Sequence, residues 1–253
     1  MIEFKNVSQK YGEKQILHNV ELNIPDGKLV AVVGSNGSGK STLLKTITKL
    51  VSIEQGDILV DGETIFNKHR EMSKTISLLR QNHHINLKLK VYDLISFGRY
   101  PYSKGRLKSD DHLMIDKIIE YLEIEHLKDR YIDTLSGGEF QRTLLAMILV
   151  QDTKYILLDE PLNHLDIHYS LDMMYLLQQF IKDFNKTIVI IMHDLNMAAA
   201  YCDYAIGVKS GKVVFQGEID DLMKDEVLTK IFDYPISVHN VCGQNVCVYN
   251  KKL

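Results

Sequence analysis

The stretch Gly34-Ser35-Asn36-Gly37-Ser38-Gly39-Lys40-Ser41-Thr42 sets glycines, one lysine and a Ser-Thr pair at the spacing G-x-x-x-x-G-K-[ST]. Each part has a physical task. The glycines let consecutive backbone N–H groups curl around a polyphosphate, a helix beginning near Lys40 adds its positive dipole end, and the ammonium reaches the β- and γ-phosphates. The Ser41 hydroxyl can ligate Mg²⁺. Farther along, the apolar run Tyr155-Ile156-Leu157-Leu158 ends in Asp159-Glu160-Pro161, a strand end that delivers two carboxylates. Asp159 suits holding Mg²⁺ through water, and Glu160 suits polarising a water that attacks the γ-phosphate. Ser136-Gly137-Gly138, ahead of the helical run Phe140–Gln151, makes a second anion-binding helix end with no Cβ in the way. His193 follows another apolar strand, and its meaning depends on its company.

The elements that must hold these residues alternate between strand and helix. Leu29–Val33 reads as a strand entering the glycine loop, and Leu43, Leu44, Ile47, Leu50 and Val51 recur at helical spacing after it. Asp57–Val60 followed by Asp61-Gly62 predicts a hairpin, since Asp-Gly suits a type I′ turn with positive φ at both central residues. From about 84 to 154 the pattern is helical: Ser109-Asp110-Asp111 is the expected N-cap, with Leu113, Ile115, Ile118, Ile119 and Leu122 on one face. Strands resume at Tyr155–Leu158 and Ile188–Met192, separated by a helix whose apolar face carries Leu171, Met174, Tyr175, Leu177 and Phe180. The pattern is an α/β core with an inserted helical block. Repeats, low-complexity tracts and proline-rich linkers are absent, so 1–253 reads as one domain.

Composition excludes several classes. Of 253 residues, 45% are apolar and 25% charged, which opposes disorder and coiled coils, and the net charge of −3 opposes a surface that coats nucleic acid. Apolar stretches such as Leu144–Val150 fall far short of the roughly 18 residues that span a bilayer. Met1-Ile2-Glu3-Phe4-Lys5-Asn6 lacks the pattern of a leader, so the expected location is cytoplasmic. Cys202, Cys242 and Cys247 are an odd number, expected to be reduced, and Cys242 and Cys247 to serve tail packing. His164 and His168 are four apart, but no glutamate follows His164, so a zinc site is rejected, and His239 beside the cysteines does not create one.

With Leu135-Ser136-Gly137-Gly138-Glu139 added, almost the whole chain resembles the ATP-binding subunits of ABC transporters, whose signature reads Leu-Ser-Gly-Gly-Gln; here Glu139 takes the last place. The resemblance implies a P-loop NTPase (RecA-like) core with an antiparallel β subdomain, a helical subdomain inserted at about 84–154 and a C-terminal tail at about 234–253. It implies ATP and Mg²⁺ as cofactors. Gln81 corresponds to the glutamine that touches Mg²⁺ and senses the γ-phosphate, Leu165-Asp166 to the D-loop, and His193 to the switch histidine. Tyr11 corresponds to the aromatic that stacks on adenine. Two copies are expected head to tail, each signature capping ATP on the other's loop, beside membrane permease subunits and, indirectly, an extracytoplasmic substrate-binding protein. The expected place is peripheral, on the inner face of the cell membrane. The basic and aromatic segment Arg99-Tyr100-Pro101-Tyr102-Ser103-Lys104-Gly105-Arg106 then reads as a solvated loop near the membrane partner and not as a nucleic-acid site.

Val91-Tyr92-Asp93-Leu94-Ile95-Ser96-Phe97-Gly98-Arg99-Tyr100-Pro101-Tyr102, His193-Asp194-Leu195-Asn196 and Gly211–Gly217 resemble the importer group for ferric siderophores, haem and cobalamin, with Lys90 and Leu162 where threonine is usual. The expectation is the ATP-hydrolysing subunit of an importer for a ferric siderophore or related iron complex. Import of haem, cobalamin or a divalent metal is the nearest alternative. A soluble ABC ATPase acting on DNA or ribosomes, a more distant alternative, usually carries tandem ATPase domains or long coiled-coil insertions, for which this chain has no room, and a non-hydrolysing adaptor would be expected to lose Glu160 or His193.

Overall fold

A computed structural model describes residues 1–67, 71–81, 88–163 and 165–249. The chain forms two compact units, Met1–Arg70 with Thr187–Leu253, and Glu71–Lys186. In the first, β1 (Ile2–Tyr11) and β2 (Lys14–Ile24) are antiparallel. Asn6 and Asn19 adopt left-handed conformations where the register shifts, so the buried face of β2 changes phase between Leu17 and Val20. Next come β3 (Leu29–Val33), α1 (Lys40–Ile47), β4 (Gln55–Val60) and β5 (Glu63–Thr64). Asp61 and Gly62 both have positive φ, as the Asp-Gly turn requires, and the antiparallel sheet runs β2-β1-β4-β5. Helix α1 ends earlier than its apolar spacing predicts: Lys49, at φ 60°, turns the chain out of the helix and leaves Leu50 exposed.

The second unit holds β6 (Ile76–Leu79), α2 (Val91–Ser96), α3 (Tyr100–Ser103), α4 (Ser109–Tyr121), α5 (Gly137–Leu149), β7 (Tyr155–Leu158) and α6 (Ile167–Phe184). Strands β6 and β7 are parallel, and α2 packs on α4 and α5. Two helix faces differ from expectation. Ile115, Ile118, Ile119 and Leu122 follow the i, i+3, i+4, i+7 stripe and are buried, whereas Leu113 lies off it and is exposed. On α6 the buried stripe runs through Met173, Met174, Leu177, Phe180 and Ile181, leaving Leu171 and Tyr175 outside. Ser109 is the first helical residue and not the cap; the Asp111 carboxylate instead accepts the Lys108 N–H at 3.0 Å. The expected helical block begins at 84, outside the described residues, and α2 to α5 fall within its span.

The chain then returns to the first unit with β8 (Thr187–Ile191), α7 (Leu195–Tyr201), β9 (Tyr204–Lys209), β10 (Lys212–Glu218), α8 (Ile219–Leu222), α9 (Asp225–Phe232), β11 (Ile236–Val241) and β12 (Gln244–Tyr249). Strand β3 lies between β8 and β9, parallel to both, and every residue of β3 and β8 is buried. Continuous Val/Ile/Leu runs are what a parallel strand covered on both faces demands, each such side chain contributing about 1.5–3 kcal/mol of burial. The hairpin β11–β12 carries the tail; Cys247 is buried in it beside Met223, while Cys242 is exposed at its turn, so only one of the two thiols serves packing. Burial lifts the Cys247 thiol to about 11. The last four residues lie outside the description. No helix among the described residues is long and apolar enough to cross a membrane.

Candidate functional site

In the first unit β3 ends at Val33 and the chain turns through Gly34, Gly37 and Gly39 at φ 148°, 75° and 107° before α1 begins. The glycines serve different ends. A Cβ on Gly34 would lie 2.1 Å from the Val208 carbonyl oxygen, so this residue is required by packing against β9. A Cβ on Gly37 would meet nothing within 4 Å, so this glycine borders open space. The buried Lys40 ammonium folds into the loop and donates to the carbonyls of Gly34 at 2.8 Å and Ser35 at 3.0 Å. The Ser38 hydroxyl is buried with no hydrogen-bond partner among the described residues, although a buried hydroxyl ordinarily finds one. An orphaned donor beside a buried cation in a glycine loop fits a polyphosphate. The loop is braced from behind: Gly211 N–H donates to the Ser38 carbonyl at 2.8 Å, and the Gly211 carbonyl accepts from His18 N–H at 2.9 Å.

The same unit carries Tyr11, half-exposed at the end of β1, and Ser41 and Thr42 in the first turn of α1. His193 is exposed just past β8. Asp194 caps the helix that follows, accepting N–H bonds from Asn196 and Met197. The Asn196 amide grips the backbone of Cys247 through both its groups, at 2.6 Å and 3.4 Å, and so fastens the C-terminal hairpin to the helix that follows His193.

In the second unit the parallel register Leu79 opposite Leu158 brings together the chain beyond both strands, with Asp159 N–H donating to the Leu79 carbonyl. Asp159 is buried, and Glu160 takes φ 55°, a left-handed conformation that costs a non-glycine residue about 1–2 kcal/mol. Its carboxylate accepts from the Gln81 side-chain amide at 2.6 Å and from Asn163 at 2.5 Å. Asn163 escaped the sequence reading; its only signal is a short amide three residues after the carboxylate.

Also in this unit, Ser136 caps α5, accepting from Glu139 N–H at 3.3 Å, and Glu139 returns the bond by accepting from Ser136 N–H at 2.8 Å. Arg130 adds an ion pair to Glu139 at 3.0 Å. The Ser136 N–H, with help from Arg130 and against burial, holds the Glu139 carboxyl below the usual range. Gly137 borders open space and Gly138 does not. Asp166 caps α6 by accepting the Tyr169 N–H. His168 stands on the exposed start of that helix, 3.4 Å from Asp172; His164 lies outside the described residues.

A glycine-rich loop between a fully buried parallel strand and a helix defines a P-loop NTPase, and here it accompanies a second glycine-bearing helix end and a strand that ends in two acids. The chain belongs to the ABC transporter family, whose pattern matches residues 17–163. It is 41% identical over 250 residues to the petrobactin import ATP-binding protein YclP of Bacillus subtilis, covering 98% of this chain and 99% of that one. It is 36% identical over 225 residues to the ferric enterobactin transport ATP-binding protein FepC of Escherichia coli, covering 88% and 83%. Among solved structures, a dimeric bacterial ABC transporter cassette superposes with a TM-score of 0.75 at 28% identity, over 87% of this chain and 99% of that one. The chain is thus an ATP-binding cassette of the ATPase class.

Proposed function

We propose that this protein is the ATP-hydrolysing subunit of an importer for a ferric siderophore or a related iron chelate, acting through separate membrane permease subunits. One observation carries the reading: the proteins named for petrobactin and enterobactin import align with 88–98% of this chain at 36–41% identity. The role is peripheral, on the inner face of the membrane, with capture of the chelate left to an outside binding protein.

The side chains take roles by motif. The backbone N–H groups of the 34–42 loop and the Ser38 hydroxyl bind the phosphates, Lys40 neutralises their charge, and Tyr11 stacks on the adenine. Ser41, Gln81 and Asp159 are the residues that would hold Mg²⁺, which supplies charge stabilisation at phosphate oxygens when bound. Glu160 accepts a proton from the attacking water as the new P–O bond forms and the bond to the β-phosphate oxygen breaks, releasing ADP. Gln81 and Asn163 orient that carboxylate. His193 hydrogen-bonds the γ-phosphate. Ser136, Gly137 and Gly138 cap the nucleotide held by a second copy, with Asp166 beside them in the head-to-tail dimer. Closing the dimer around two γ-phosphates, and opening it after hydrolysis, moves the permease halves.

The test is uptake of labelled ferric siderophores, haem and cobalamin in a deletion strain complemented with wild type or Glu160→Gln. Siderophore uptake restored by wild type alone is expected. Unchanged siderophore uptake in the deletion strain, with a defect confined to cobalamin or a free divalent metal, would overturn the substrate.

A further inference from the structure

Gly137 and Gly138 are adjacent in the first turn of α5, yet their surroundings differ. A Cβ at Gly137 would meet nothing within 4 Å, whereas at Gly138 it would lie 2.9 Å from Cδ1 and Cγ and 3.0 Å from Cδ2 of Tyr169. Neither glycine has a positive φ, so neither is present for left-handed backbone freedom. Glycine at 137 keeps the open side clear for a ligand. Glycine at 138 is demanded by the aromatic ring beneath it, because three ring carbons occupy the place of a side chain.

Tyr169 is itself anchored. Its N–H donates to Asp166, the cap of α6, at 3.0 Å, and its ring meets that of His168 edge-on at 5.9 Å. One turn farther along, Arg142 of α5 lies 3.6 Å from Asp172 of α6. The two helices therefore meet at successive levels, Gly138 on Tyr169 and Arg142 on Asp172. A shift of the Asp166 cap displaces the ring, and the ring bears directly on the Ser136–Glu139 turn.

We propose that Tyr169 is a positioning residue for the second anion-binding end: its ring supports the first turn of α5 and couples that turn to the Asp166 cap. This rests on the reading that Ser136–Gly138 acts on a nucleotide held by a second copy. A tyrosine suits the task because a flat ring with few rotatable bonds holds its shape under a Cα atom.

The experiment compares wild type, Gly137→Ala, Gly138→Ala, Tyr169→Ala, Tyr169→Phe and the Gly138→Ala/Tyr169→Ala pair. It measures ATP affinity, kcat and KM, and amide exchange along α5 without nucleotide. Gly138→Ala is expected to lower kcat about tenfold or more with ATP affinity within about twofold, since the chain's own phosphate loop is untouched. Removing the ring relieves the clash, so the double variant recovers at least about threefold over Gly138→Ala, a coupling that only interacting residues show. Tyr169→Ala does not rescue Gly137→Ala. Exchange at Glu139–Arg142 rises about tenfold in Tyr169→Ala and stays at the wild-type rate in Tyr169→Phe. Equal activity of the double variant and Gly138→Ala, or unchanged exchange in Tyr169→Ala, would overturn the role. Wild type without any ATP turnover would sink the proposed function instead, and the exchange arm would still decide on Tyr169.

Discussion

The Gln81 side-chain amide donates to the Glu160 carboxylate at 2.6 Å, and Asn163 donates to the same oxygen from three residues away. Both donors are neutral, so they orient the carboxylate without themselves adding positive charge to it, which suits the proposed role as proton acceptor. Glu160→Gln keeps the shape and removes the basicity. We expect kcat to fall about 10²-fold or more, the range that general-base catalysis supplies, with ATP affinity within about threefold. ATP should then hold two copies together, so a molecular mass unchanged by MgATP in this variant would count against the paired arrangement.

Lys40 is buried among the carbonyls of its own loop. On its proposed role, Lys40→Ala withdraws the charge that would neutralise the phosphates, and turnover should drop by about 10²–10³, the usual loss for one such electrostatic group. The helix and strands beside the loop keep their apolar contacts, so far-UV circular dichroism should match wild type. Comparable hydrolysis by a folded Lys40→Ala protein would refute the assignment of the loop.

The glycine loop and its flanking strand were readable because both signals are local: β3 is a continuous apolar run, and the loop's residue spacing is fixed by phosphate chemistry. Strand β6 was not, since Ser77 interrupts its four residues, whereas the equally short β7 is an unbroken apolar run. Leu171 and Tyr175 were assigned to the apolar face of α6 because an apolar residue type does not disclose which of two stripes faces the core; packing of Met173, Leu177 and Phe180 decides it. The two roles of the glycine pair at 137 and 138 were also hidden, because Tyr169 is remote in sequence and only the fold puts its ring there.

Glu139 stands where the family signature has glutamine, and its carboxylate joins Ser136 N–H to Arg130. Its lowered pKa gives stability that is present above the ordinary glutamate value of about 4.3 and is lost as the pH falls through the lower folded value. Glu139→Gln keeps an acceptor for Ser136 and loses only a partly exposed ion pair, worth about 0–1 kcal/mol. The variant should unfold within about 1 kcal/mol of wild type at pH 7, and the difference should vanish in acid. Urea titrations at the two pH values check this; a loss that persists below the folded pKa would show that the ion pair is not its source.

Arg99 and Asp111 form a more demanding pair, at 2.8 Å with side chains only 10% and 6% exposed. Arg99 also donates to the Val150 carbonyl at 3.0 Å and lies 4.0 Å over the Tyr102 ring, so it joins α4 to the chain just past α5. Burial opposes ionisation of Asp111, but the Lys108 N–H and the guanidinium outweigh it and hold the carboxyl below its usual range. Its stabilisation is therefore complete above the unfolded value of about 3.9 and fades as the pH falls through the folded one. Arg99→Met strands a buried carboxylate and should cost about 3–5 kcal/mol at neutral pH. Arg99→Met with Asp111→Leu should recover most of that, because neither charge remains to be desolvated. Urea unfolding of the three proteins tests the pair. A double variant no more stable than Arg99→Met would mean that Arg99 acts through its Val150 and Tyr102 contacts and not through the carboxylate.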